Sequence, residues 1–563
     1  MVTTGSVVAW SARPLLQVLC VALLQLRVAA GAGPASAGAD PDPARPNVLI
    51  ILADDIGVGD LTVYNGDSRV PTPNIDALAL SSVRFTDFHA ATICAPSRYM
   101  LLSGRNADRG RYPNGAWKLN QDTAFKAGQD SLANVLGRAG FDTAFFGKWH
   151  LGGGAYDCDA ETLLSVTCPG IDFMDRNERI PRGAGHLGFQ HSFMSPGGIQ
   201  SPPYAYWDDD RLFVDGALYG RVASYTVPDD VVTLQRNATV SKSGDSLPYW
   251  DSTLYAADMM ERYIAFLEQH AASRPGDPFY VHYCTEAVHA PHTPPAYFYG
   301  DPVAGTTPTA HLDMVAELDL IVAKLLAELH ARDVLNNTIV VFVSDNGGLP
   351  NSEDSGHDTS YGRRGRKGMV YEGGHLAPAM IRWDLGPVQP GGVLNDLASI
   401  MDIFRTVADL AGVSVPAGQA TDSLSFKGRL RPATPASEFG AGTGPRWGLV
   451  VGKLNDPKDG YTHRCTCADG LSNSQCDKRH YAVRRGPMKA IMCSRNGGWM
   501  AGELFDLSAD VAETVDLSSR PEYAGVLAMM VRVLESEACD AEPTTAYCHS
   551  VRTFWGAELS PAP

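Results

Sequence analysis

Two pairs of hard oxygen ligands close two apolar runs in this chain. The run over Asn47 to Leu52 leads into Asp54-Asp55, and the run over Thr338 to Val343 leads into Ser344-Asp345-Asn346-Gly347-Gly348. Either pair alone reads equally well as cap and turn residues. Together, Asp54, Asp55, Asp345 and Asn346 form a set suited to calcium, or to magnesium, and unsuited to a soft metal. Basic and titratable groups occupy similar places. Lys148 and His150 follow the extended segment Thr143 to Phe146, and His289 and His292 follow the run from Phe279 to Cys284. An imidazole titrates near neutrality, so each of these histidines can give or take a proton. Lys367 ends a basic cluster with Arg363, Arg364 and Arg366 in a chain of net charge -17, a contrast that draws an anion to one place. Composition alone would make that cluster a solvated loop or a processing site. Cys94 stands in Cys94-Ala95-Pro96-Ser97-Arg98, and a free cysteine read alone is most often a buried structural thiol.

These groups need rigid elements to bring them together. Ser131 to Ala139 puts Leu132, Val135, Leu136 and Ala139 on one helical face; Gly140 then stops the helix and the extended run before Lys148 begins. Met314, Leu318, Ile321, Leu325 and Leu329 stripe a longer helix before the second apolar run. Helix, strand and polar cluster thus repeat, which predicts an α/β fold. In open sheets of that class the ligand site lies beyond the carboxyl ends of the strands, so the four polar clusters are expected to meet. Residues 152–246 are rich in Gly, Pro, Asp and Tyr with weak periodicity and read as long loops shaping a pocket. A Pro/Gly/Ala-rich stretch from Val413 to Pro445 leads to a smaller α+β C-terminal region bearing cysteines.

The segment Cys94-Ala95-Pro96-Ser97-Arg98, followed by Leu101-Leu102-Ser103-Gly104-Arg105, resembles the CxPSR signature of the formylglycine-dependent sulfatases. Serine stands here for the family's usual threonine before Gly-Arg. The resemblance continues in family order through Asn47 to Asp55, Gly147 to Gly152, Val288 to Pro294, Ser344 to Gly348 and Arg364 to Gly374, and Glu503-Leu504-Phe505-Asp506-Leu507 looks like the family's ELYDL segment. It implies an alkaline-phosphatase-like fold, with a large mixed, mostly parallel sheet flanked by helices. It also implies a catalytic region over 45–420 and a smaller C-terminal domain over 421–563.

By the same resemblance, Cys94 is oxidised to formylglycine by a formylglycine-generating enzyme. The hydrated aldehyde attacks sulfur while a calcium ion, or magnesium, is held by Asp54, Asp55, Asp345, Asn346 and residue 94. Arg98 holds the hydroxyls of residue 94, Lys148 and Lys367 bind sulfate, and His150 is the base of the elimination step. The family places the proton donor at the position of His289 or of His292; with both present, His292 is preferred. At Glu372-Gly373-Gly374 the chain continues His375-Leu376-Ala377-Pro378 where the family usually has an aliphatic residue, a departure expected at the pocket rim. The implied substrate is a sulfate monoester, an aryl sulfate or a sulfated carbohydrate. A phosphate or phosphonate ester hydrolase and a catalytically silent glycan-binding protein are the rival readings.

Composition bounds the setting. With 46 basic against 63 acidic residues the chain carries no general positive field for nucleic acid, and 44% apolar content supplies a large core. Arg13, an apolar run from Leu15 to Leu26 and Ala35-Ser36-Ala37 read as a signal peptide over 1–37, with an uncleaved anchor as the alternative. No other stretch is apolar and long enough to span a bilayer. Cys158 with Cys168, Cys539 with Cys548, and the group Cys465, Cys467, Cys476 and Cys493 read as disulfides, because a CxC start does not fit the usual zinc spacing. Asn237 and Asn336 head glycosylation sequons. These features point to the secretory pathway, with a secreted or lysosome-like destination.

Overall fold

The structure, a computed structural model, describes residues 45–111, 117, 121–153, 180–200, 204–214, 217–218, 225–227, 244–246, 251–350, 354, 356–431, 446, 448–454, 476–495 and 498–541. Residues 1–37, read from sequence as a signal peptide, together with Asn237, Cys158, Cys168, Cys465, Cys467 and Cys548, lie outside the described residues. Only the backbone of Cys476, Cys493 and Cys539 is placed. Asn336 is exposed, in the turn before a buried strand.

In chain order the elements used below are β1 (Asn47–Ala53), α1 (Pro73–Leu80), β2 (Val83–Phe85), α2 (Cys94–Ser103), α3 (Leu132–Arg138), β3 (Asp142–Lys148), β4 (His191–Ser195), β5 (Tyr206–Asp208), β6 (Arg211–Val214), β7 (Ala217–Leu218), α4 (Tyr255–Ser273), β8 (Phe279–Cys284), α5 (Ala310–Ala331), β9 (Thr338–Ser344), β10 (Ala379–Arg382), β11 (Gly392–Leu394), α6 (Asp402–Leu410), β12 (Gly448–Leu454), β13 (Cys476–Arg485), β14 (Met488–Arg495), β15 (Gly498–Asp506) and α7 (Ala524–Ala541). One mixed sheet has the order β11-β2-β10-β9-β1-β8-β3-β4-β5-β6-β7. Its centre, β9-β1-β8-β3-β4, is parallel throughout, and antiparallel strands flank it on both sides. The segment 152–246, read from sequence as loop, supplies β4 and the meander after it.

β1 is buried on both faces because side chains alternate across a strand. Val48, Ile50 and Leu52 enter one core with α2, α3 and α6, whereas Leu49, Ile51 and Ala53 enter another with α1, α4 and α5. Each of the Val, Leu and Ile side chains contributes about 1.5–3 kcal/mol by leaving water. The starts of two helices are capped by side chains. Ser131 and Asn134 at the start of α3 exchange hydrogen bonds in a capping box, and Thr309 accepts from the Leu312 amide at the start of α5. The stripe Met314, Leu318, Ile321, Leu325 and Leu329 is buried.

The last four strands form an antiparallel sheet, β12-β13-β14-β15. Its Leu449, Val451, Ala482, Ile491 and Phe505 pack into the first core, and Val450, Val483 and Met492 pack with Met530 and Leu534 of α7. Among the described residues, no helix is long and apolar enough to cross a membrane.

Two features of β3 yield tests. Gly147 has φ +106, and a Cβ there would stand 1.8 Å from the Cys284 carbonyl oxygen of β8, so only glycine lets the strands pair where Lys148 begins. Gly147→Ala is expected to cost about 2–4 kcal/mol, and an unchanged thermal midpoint would refute this.

At the other end of β3, Asp142 accepts from His270 Nδ1 of α4 at 2.7 Å and from His191 Nε2 of β4 at 3.1 Å. Burial pushes the Asp142 carboxyl up, but these two bonds outweigh it and hold the carboxyl below the usual range. The bond to Asp142 in turn raises His191. The depressed carboxyl contributes stability above pH ~4 that is lost as pH falls. The raised imidazole contributes below pH ~6.5 and its share is lost as pH rises through its folded value. The midpoint difference between wild type and Asp142→Asn should therefore be largest between about pH 4 and 6.5, which thermal melts across pH 3–8 would check.

Candidate active site

The carboxyl ends of β1, β3, β8 and β9 converge, as the parallel arrangement requires. Asp54 and Asp55 follow β1, Lys148 ends β3 with His150 just beyond, His289 and His292 lie in the loop after β8, and Asp345 and Asn346 follow β9. Cys94 and Arg98 are on the first turns of α2, which approaches the same point.

Three carboxylates and three cations interlock there, all buried except Lys367, whose side chain is partly exposed. Lys148 Nζ lies 2.5 Å from Asp54 Oδ2, and Lys367 Nζ lies 2.5 Å from Asp55 Oδ1. Arg98 donates to Asp345 Oδ2 at 2.7 Å and to the Lys148 carbonyl at 2.8 Å, with Asp54 Oδ2 at 3.5 Å. Asp55 has φ +64, and its amide donates to Asp345 Oδ1. Asn346 Nδ2 donates to Asp55 Oδ1 at 2.8 Å. Gly347 must be glycine because a Cβ would meet the Gly373 carbonyl at 2.1 Å.

The protonation states follow from this packing. Burial pushes the carboxyls of Asp54 and Asp55 up, but Lys148 and Lys367 respectively outweigh it and hold both below the usual range. Asp345 goes the other way, raised by burial and by the Asp54 charge. Burial alone would lower Lys367 and Arg98; Asp55 and Asp345 respectively hold them firmly charged.

Some buried oxygens are left without partners. Asp54 Oδ1, Asp55 Oδ2 and Asn346 Oδ1 receive no hydrogen bond, a costly condition for polar atoms sealed from water. Bare hard oxygens from two strand ends are what a calcium or magnesium ion takes as ligands, so the residues present fit such an ion. The Asp54, Asp55 and His289 ligand atoms lie close enough together to share one ion.

Cys94 is a buried free thiol whose Sγ lies 3.3 Å from His150 Nδ1. His150 has φ +56, its amide donates to the Pro196 carbonyl, and burial with the Lys148 charge holds its imidazole well below the usual value. The two later histidines part company. His289 Nδ1 donates to the Ala290 carbonyl at 2.5 Å, which leaves Nε2 facing Asp55 Oδ2 at 3.7 Å. His292 instead packs its ring against His311, centroids 4.8 Å apart, and His311 is bonded to Asp354. Burial lowers both His289 and His292, to about 3 in each case.

Two further residues belong to the surroundings. Cys284 ends β8 near Arg98, and burial pushes its thiol up to about 12, so it stays neutral. Glu286, just beyond, is raised by burial to about 8. His375, expected at the pocket rim, is fully buried away from it. Its Nδ1 lies 2.9 Å from His89 Nδ1 and its Nε2 3.2 Å from Lys489 Nζ, because the C-terminal sheet covers the Glu372–His375 turn.

A family model described as Sulfatase matches residues 46–413. Arylsulfatase A of Bos taurus is 32% identical over 403 residues, covering 70% of this chain and 68% of that protein. Arylsulfatase H of Homo sapiens is 29% identical over 579 residues, covering 92% of this chain and 96% of that protein. Among solved structures, one concerned with the metabolism of multiple glycosaminoglycans by Bacteroides thetaiotaomicron superposes with a TM-score of 0.68 at 23% identity, covering 88% of this chain and 99% of that one. At that identity the likeness speaks for the fold.

The bare oxygens predict a measurable linkage. Calcium at a hundred times its Kd should stabilise the folded chain by about 2.7 kcal/mol, and Asp55→Asn or Asn346→Ala should remove most of that increment. Thermal melts with calcium and with a chelator would decide; an equal calcium response in the variants would exclude this as the site.

Proposed function

The chain belongs to the sulfatase family and is a sulfuric ester hydrolase, and we propose that it cleaves a sulfate monoester of an aryl alcohol or a carbohydrate through a formylglycine made from Cys94. The observation that carries this reading is the convergence of three bare buried oxygens, three cations and the Cys94 thiol at one end of the parallel strands. A hydrated aldehyde at position 94 supplies one hydroxyl to attack sulfur and a second whose deprotonation expels sulfate by re-forming the carbonyl. Asp54, Asp55, Asp345 and Asn346 would hold a calcium ion, or magnesium, which when bound supplies a Lewis acid for a sulfate oxygen and acidifies the attacking hydroxyl.

The chain's own residues do the rest. Arg98, fixed by Asp345 and the Lys148 carbonyl one turn along α2 from residue 94, would hold the hydroxyls of that residue. Cys94 opens α2, where the helix dipole favours developing negative charge. Lys148 and Lys367, the cations beside Asp54 and Asp55, would bind the sulfate oxygens and the bridging oxygen. His150, kept neutral by burial and the neighbouring cations, can accept the proton from residue 94. For the leaving oxygen we favour His289 over His292, because the Ala290 carbonyl fixes its ring with Nε2 toward the carboxylate cluster; a proton taken up at Nε2 when the anionic ester binds is the one it gives to the leaving oxygen. His292, held against His311, shapes the approach.

Maturation by a formylglycine-generating enzyme in the secretory pathway, and secretion or delivery to a lysosome-like compartment, belong to the same proposal.

Three measurements test it. The Cys94 peptide from secretory-pathway material should carry the aldehyde by mass spectrometry; thiol in every molecule would end the formylglycine reading. Purified enzyme should hydrolyse aryl sulfate in preference to aryl phosphate, and the opposite preference by orders of magnitude would make it a phosphate ester hydrolase. His289→Ala should lower kcat about 10²–10⁴-fold on sulfates with poor leaving groups and less on activated aryl sulfates, whereas His292→Ala should cost under about tenfold. Reversal of the two effects would return the donor role to His292.

A further inference from the structure

Lys367 is carried by a short strap whose two ends meet on one side chain of the C-terminal sheet. Glu503 of β15 lies 3.4 Å through Oε1 from Arg364 NH1, and through Oε2 it accepts the Tyr371 hydroxyl at 2.6 Å. The Arg364 guanidinium also stacks on the Tyr371 ring, 3.8 Å from its centroid, and donates to the Glu513 carbonyl at 3.0 Å. One buried carboxylate therefore closes residues 364–371 into a loop. Within it the backbone is pinned toward the catalytic ends of the strands: the Lys367 amide donates to the Gly348 carbonyl at 3.0 Å and the Gly368 amide to the Thr92 carbonyl at 2.7 Å. The Lys367 ammonium reaches Asp55 from this loop.

We propose that Glu503 is a positioning residue for Lys367, acting through Arg364 and Tyr371, so that the C-terminal sheet sets the place of a sulfate-binding cation. A buried carboxylate needs partners in any protein. The particular arrangement here joins two residues seven apart on either side of Lys367, and both partners lie outside the sheet that bears Glu503. This assignment rests on the sulfatase reading of Lys367, and it separates the C-terminal sheet from a merely covering role.

The test is a double-mutant cycle with an independent structural readout. Glu503→Gln should lower kcat on an aryl sulfate at least tenfold. In a Lys367→Ala background the same change should cost less than threefold, because the group it positions is gone. A full tenfold loss in that background would overturn the proposal. Hydrogen exchange should show peptides covering 364–371 opening faster in Glu503→Gln, with β1 and β9 unchanged; no change in the strap, or uniform loosening, would also overturn it. Should Glu503→Gln not fold, Tyr371→Phe keeps the ring beneath Arg364 and removes only the hydroxyl, with the same two expectations. If wild type turns over no sulfate ester, the sulfatase reading fails while the exchange experiment still decides the clamp.

Discussion

Carboxylates sealed from water keep their charges only where opposite charges stand at contact distance, and the whole arrangement at the strand ends follows from that constraint. Asp54, Asp55 and Asp345 face Lys148, Lys367 and Arg98 one for one. Asp54 and Asp55 hold their charges against Lys148 and Lys367 whereas Asp345 is pushed toward its neutral form, so the hollow carries no excess of negative charge, which suits an anionic ester. The bare oxygens and the cations thus meet at one place.

The sheet explains how such a sextet can be held. Its members come from segments nearly 300 residues apart in sequence, as the 290-residue separation of the Asp55 and Asp345 contact shows. Parallel pairing of β9, β1, β8 and β3 puts all their carboxyl ends on one side, so four polar clusters meet without any loop having to reach far. Glycines at 147 and 347 let backbones approach where a side chain would collide. The C-terminal sheet adds a brace from behind, through Glu503 and through the buried pairings of Arg484 and Lys489 with Glu372.

Much of this was legible in the sequence because the central strands are unbroken apolar runs and each ends abruptly in charge. Asp54, Asp55, Lys148, Asp345 and Asn346 were visible for that reason. β4 was not, because it lies in a weakly periodic segment and becomes a strand only by pairing with β3. His289 and His292 differ by three positions in one turn, and composition cannot say which ring the chain path aims at Asp55. His375 looked like rim because its turn adjoins the site in sequence; only the covering sheet buries it. The Glu503 and Arg364 contact joins residues 139 apart and leaves no local pattern to read.

The separation of partners also sets a clock. In the finished fold Cys94 is only 5% exposed, and Arg98, one turn along, is locked to a residue 247 positions later. At about 5–20 residues per second of synthesis, that partner emerges roughly 12–50 s after the helix that needs it. For that interval the thiol travels on an unfinished chain, and the proposed conversion of Cys94 would have that interval before the sheet closes over it.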